Sequence, residues 1–130
     1  MRFARRSFTF AGALGLLMIL PMFFLYDRIG ADYPPAVNHP EFYYGFLTVT
    51  AAWQIAFLII GSDPIRFRPL MIAAICEKGF YIAAMTWLYL VGRQTAAQFA
   101  ITGFDVVFGA LFVVSYLKTP RASRMLSAQC

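Results

Sequence analysis

The sequence predicts an all-α, four-helix transmembrane bundle with both termini cytoplasmic, and three observations carry the prediction. The 130 residues are 61% hydrophobic and only 13% charged, where a soluble domain carries roughly a quarter of charged residues. Four apolar runs, at about residues 8–26, 43–60, 70–91 and 96–117, are each long enough to cross a hydrocarbon core. Lysine and arginine gather at the ends of those runs, so the formal net charge of +5 reports orientation and not a basic surface for nucleic acid. Residues 1–130 therefore read as a single integral membrane domain, multi-pass in the cell (inner) membrane.

The first run follows Arg2, Arg5 and Arg6 and extends from Phe8 to Tyr26. Arg5 and Arg6 before Ser7 and Phe8 resemble a twin-arginine leader, but the run is long for a leader and no A-x-A site follows. Cleavage after Ala31 would put Ile29 where a small residue is needed, so the first helix is expected to be retained. Pro21 is expected to kink or thin its outer end, and Ala11, Gly12 and Gly15 offer a flank where another backbone can approach.

Residues 27–42, DRIGADYPPAVNHPEF, form the only long connection. Pro34, Pro35 and Pro40 favour extended or turn geometry, and Tyr33, Tyr43 and Tyr44 supply an aromatic belt, so an external polar loop is expected. Asp32, His39 and Glu41 fit a solvated loop better than a metal or proton site, and one histidine makes no histidine-based metal centre. Tyr43 to Ile60 is the second span, with Trp53 and Gln54 at its middle. In the turn from Gly61 to Pro69, Gly61 reads as a helix C-cap, Ser62 or Asp63 as an N-cap, and Pro64 as a stop or start signal. The third span closes at Gly92 and Arg93, with Trp87 and Tyr89 as interface anchors. The fourth closes at Lys118 and Pro120, and a basic tail, 118–130, carries Arg121 and Arg124. Cys76 and Cys130 form no CxxC pair; Cys76 reads as a small buried apolar residue and Cys130 as a free tail thiol.

With four spans, Arg2, Arg5, Arg6, Arg66, Arg68, Lys118, Arg121 and Arg124 share one side, and only Arg28 and Arg93 fall on the other. That asymmetry makes both termini cytoplasmic.

The third run is broken by adjacent charges, Glu77 and Lys78. Charges at that depth are expensive unless they face protein or water. At about 1.5 Å per residue, Gln54, Glu77 and Asp105 lie roughly 16, 19 and 14 Å from the outer end, so three helices bring polar groups to one level. Ala73, Ala74 and Ala84 around Glu77, Thr102 and Gly109 around Asp105, and Thr50 and Ala51 around Gln54 mark packing faces turned from lipid. Glu77 and Lys78 point about 100° apart, so they need not satisfy one another; Lys78 can reach across to Asp105 while Glu77 stays available, with Tyr81 as a hydroxyl partner. Fully ionised, the three would carry one net negative charge, which calls for a proton or for water. Trp53, Phe80, Tyr81, Phe104 and Phe108 would line an apolar pocket beside them.

The basic start, long first external loop and three closely connected spans resemble the small four-helix membrane proteins of the DoxX-like kind, which implies the bundle but transfers no functional residue. A second resemblance, to the EXPERA-type sterol isomerase and ligand-binding fold, rests on acids and aromatics facing a pocket, with Glu77 and Asp105 as the acids. Small multidrug transporters are set aside because no charge lies between Phe8 and Tyr26, and quinone-coupled disulfide oxidoreductases because paired cysteines are absent.

The expected role is non-enzymatic binding of an apolar small molecule or a membrane protein partner, through Gln54, Glu77, Lys78, Tyr81 and Asp105 with Trp53 beside them. No metal or cofactor is expected. One alternative is an isomerase-like enzyme using Glu77 or Asp105 as acid and base; another is a small transporter acting as a homodimer. Against all three stands a purely structural role, in which buried polar groups fix helix register.

Overall fold

A computed structural model describes residues 1–33 and 36–121; Pro34, Pro35, Arg124 and Cys130 lie outside the described residues. The fold is all-α: α1 (Arg2–Met22), α2 (Tyr26–Asp32), α3 (Pro40–Ser62), α4 (Arg68–Leu90), α5 (Ala96–Ala100) and α6 (Thr102–Lys118). Four helices, α1, α3, α4 and the combined Ala96–Lys118, are long and apolar enough to cross a membrane, and on that ground the chain is a multi-pass membrane protein.

Each boundary has a local cause. Pro21 falls in the last turn of α1, so it accompanies the end of the helix instead of kinking its middle. The connection expected as an irregular loop begins with a helix, Tyr26–Asp32, because its prolines start only at residue 34; Arg28 and Asp32, one turn apart, lie 3.6 Å from each other. The Tyr26 hydroxyl then donates to the Val37 carbonyl, and the Tyr43 hydroxyl donates at 2.7 Å to Met22 O at the end of α1, a carbonyl that also accepts from the Leu25 amide at 3.2 Å.

Gly61 is not the left-handed C-cap expected of it. It lies inside α3, and Gly92 is the one described glycine with positive φ, at 71°. Gly61 is small for a different reason: a Cβ there would stand 2.5 Å from Thr9 Oγ1 on α1. Gly92 closes α4, where the Gly92 amide donates to Tyr89 O at 3.1 Å and the Arg93 amide to Leu88 O at 2.9 Å, the paired bonds of a Schellman end. Thr95 and Gln98 open α5 with a reciprocal capping box, and a turn at Ile101 interrupts the fourth span.

The four long helices alternate up and down, and in cross-section the ring order is α1, α3, α4, α6. The α1–α3 seam is the most intimate, since Gly12, Gly15 and Gly61 let the two backbones close in. The α3–α4 seam is the loosest of the ring; Phe46, Val49, Trp53, Phe80 and Tyr81 stand along it and no glycine draws it shut.

The half of the bundle near the termini is solid. Phe8 stacks on Phe112 with ring centroids 4.1 Å apart, Phe57 meets Phe112 edge-on at 4.9 Å, and Ile60, Met71 and Ala74 fill the space around them. Arginines answer the helix ends there: Arg5 Nη2 donates to Ser62 O at 2.9 Å, and Arg68 donates from Nε to Thr119 O at 2.8 Å while its guanidinium lies 3.9 Å from the Tyr116 ring centroid. Lys118 Nζ stands 5.0 Å from the Phe3 ring centroid, which puts the first and last helices' ends together.

Candidate functional site

Above the phenylalanine floor the bundle is hollow. A cavity of about 270 Å³ runs between all four long helices, from Phe57 and Phe108 at its base to Met22, Phe46 and Ile101 at the end away from the termini. At about 30 Å³ per water, that is room for roughly nine waters or a small organic molecule. Ala11, Leu14, Gly15 and Met18 of α1 form one wall, Thr50 and Gln54 of α3 the next, and Glu77, Lys78, Tyr81, Phe104 and Asp105 the charged and aromatic side.

Lys78 is the centre of the charged group. Its ammonium donates to Asp105 Oδ1 at 2.8 Å and to Glu77 Oε1 at 3.4 Å, and lies 5.4 Å from the Phe57 ring centroid. The expectation that Glu77 and Lys78 need not meet is corrected: the lysine stem is long enough to bridge its sequence neighbour and the next helix at once. Glu77 Oε2 lies 3.2 Å from the ammonium without hydrogen-bond geometry, and it is buried with no hydrogen-bond partner among the described residues. The three side chains are 10%, 22% and 20% exposed for Lys78, Glu77 and Asp105, so one cation faces two carboxylates in a largely dry setting.

Local sequence explains the placement. Gly109 of α6 faces the Lys78 stem, and a Cβ there would stand in ordinary contact, 3.5 Å from Lys78 Cβ. Ala74, one turn before Lys78, and Thr102, one turn before Asp105, are fully or almost fully buried at the same seam. Asp105 sits in the first turn of α6, where the helix dipole favours an anion.

The remaining candidates fall into different positions. Gln54 lines the cavity but bonds its own helix, Nε2 to Thr50 O at 3.2 Å, and its amide lies where a side chain on Gly15 would otherwise go. Tyr81 lines the cavity, yet its hydroxyl makes no hydrogen bond among the described residues. Trp53 stands outside the cavity, in an open groove between α3 and α4 that it shares with Ala73, Cys76 and Phe80. Cys76, expected buried, is exposed on that face, because the α3–α4 seam does not close over it.

Cavity and groove meet at Phe46, Thr50, Glu77 and Tyr81, which line both. Leu14, Met18 and Phe46 were not singled out from sequence. The glycines at 12 and 15 could have located the α1 wall, and the four-residue spacing of Phe104, Phe108 and Phe112 could have located the α6 wall. His39 and Glu41, 3.1 Å apart, are exposed at the far end, and no group of three His, Cys, Asp or Glu side chains suited to a metal gathers among the described residues. Comparison of the chain with protein-family models, with curated proteins and with solved structures finds no match.

Proposed function

We propose that this protein is a bilayer-embedded binding protein, held in the cell membrane with both termini cytoplasmic, which takes a small, largely apolar molecule with one polar group into the cavity at Glu77. The carrying observation is the position of the charged group: it lies at the side of a formed hollow and not inside a filled core. A purely structural ion pair needs no such space. The apolar walls supply burial, and the few convergent polar groups supply orientation. The DoxX-like layout is compatible with this reading and adds nothing to its chemistry.

The test is native mass spectrometry of the chain in a neutral detergent, before and after Glu77→Gln. One retained small molecule per chain is expected for the original protein. Glu77→Gln leaves Lys78 and Asp105 as a balanced pair, so the fold should survive while occupancy falls by at least about tenfold, the loss of one charge-assisted hydrogen bond. Unchanged occupancy, or a chain that no longer assembles, would assign Glu77 to structure instead.

An acid–base enzyme is the second reading, favoured by the place of Glu77 in the cavity lining. In it, Glu77 would take a proton from the bound molecule and return it to a neighbouring atom, and Lys78 would stabilise the negative charge left on that molecule between the two steps.

A further inference from the structure

The chemistry of the bound molecule can be narrowed, on the premise that the cavity is a binding site. Lys78 directs its hydrogen bonds to Asp105 and to one oxygen of Glu77, and the other Glu77 oxygen lies 3.2 Å from the same ammonium outside hydrogen-bond geometry, so three donors answer two carboxylates. The group as a whole holds one cation and two carboxylates. A ligand that brings a further negative charge adds repulsion in a weakly screened site, and one that only accepts hydrogen bonds meets the Tyr81 hydroxyl but leaves the excess carboxylate unanswered. A ligand that donates, and above all one that donates with a positive charge, supplies both missing quantities.

The route follows from the packing. The base of the hollow is sealed by Phe8, Phe57 and Phe112, and the α1–α3 seam is shut by close backbone approach. The α3–α4 seam is loose, and Glu77 belongs both to the cavity and to the groove of about 600 Å³ along that seam. The groove is lined by apolar and aromatic side chains on a membrane-spanning face, where lipid chains are the neighbouring phase.

We infer that the ligand is a single-chain amphiphile with a hydrogen-bond-donating head, a protonated amine being the best fit, which arrives from the bilayer between α3 and α4. Its head meets Glu77, and the part of its tail that exceeds the cavity lies along the groove. This deepens the binding reading and depends on it.

Decylamine, decanol and decanoate share a tail and differ in the head, so they separate the inference from its premise. Each is titrated against the purified chain in neutral detergent, and one-to-one adducts are counted by native mass spectrometry. Decylamine should bind tightest, decanol about tenfold more weakly as a neutral donor, and decanoate not measurably. Glu77→Gln should abolish the preference of amine over alcohol. Decanoate binding as well as decylamine overturns the donor head while the binding reading stands; a chain that takes none of the three overturns both. For the route, Ala73→Trp places bulk in the groove away from the Lys78–Asp105 contact, and it should slow decylamine uptake by at least about tenfold. Unchanged uptake overturns access between α3 and α4.

Discussion

Lys78→Met is expected to destabilise the bundle by about 3–5 kcal/mol, the cost of leaving buried charge uncompensated. Among the described residues the ammonium is the only cation within reach of either carboxylate, so Asp105 loses its 2.8 Å partner and Glu77 its sole hydrogen bond. Methionine keeps the volume and the unbranched shape, so packing against Gly109 and Phe57 survives and the loss is electrostatic. The sign of the control is opposite. Combining Lys78→Met with Glu77→Gln and Asp105→Asn removes both uncompensated charges and should restore most of the stability. Unfolding curves in one neutral detergent decide it: a single variant as stable as the original chain, or a triple variant no better than the single, would sink the claim that charge balance holds α4 to α6.

Gly12→Ala should cost about 1–3 kcal/mol or more, the usual range for overpacking, although alanine is the better helix former. A Cβ at residue 12 would stand 2.7 Å from Gln54 O and 2.9 Å from Leu58 Cγ. The first obstacle is backbone, so relief requires α1 and α3 to separate, and the tightest seam of the bundle opens. Gly15→Ala should cost less, because the obstacle there is the end of the Gln54 side chain, which can swing into the cavity. Gly79→Ala has open space around it and should be neutral or stabilising by up to about 1 kcal/mol through helix propensity. The same unfolding measurement ranks the three, and equal effects at residues 12 and 79 would refute the close-approach account.

Much of this architecture can be read from the residues alone. Span number follows from the apolar runs, since nothing but length and hydropathy decides whether a helix crosses a membrane. The meeting of Lys78 with Asp105 follows from depth and from small neighbours such as Ala74, Thr102 and Gly109. What fails is local or depends on which seam closes. Gly61 carries a cap signature, yet its role is set by Thr9 on another helix, 52 positions away in sequence. Cys76 is apolar in character and sits one residue from a buried acid, but its side of α4 faces a seam that bulky side chains hold open. The helix Tyr26–Asp32 escapes notice because the prolines that follow dominate the composition of the whole connection. Hollow and solid halves are not distinguishable from hydropathy, because Phe8 and Leu14 score alike while one fills a floor and the other lines a void.

The phenylalanine floor has a consequence for direction. With Phe8, Phe57 and Phe112 interlocked across the helices nearest the termini, a guest that reaches Lys78 finds a dead end. On the proposed binding reading it must retreat along its own path, and vectorial passage through a lone chain would require those rings to come apart.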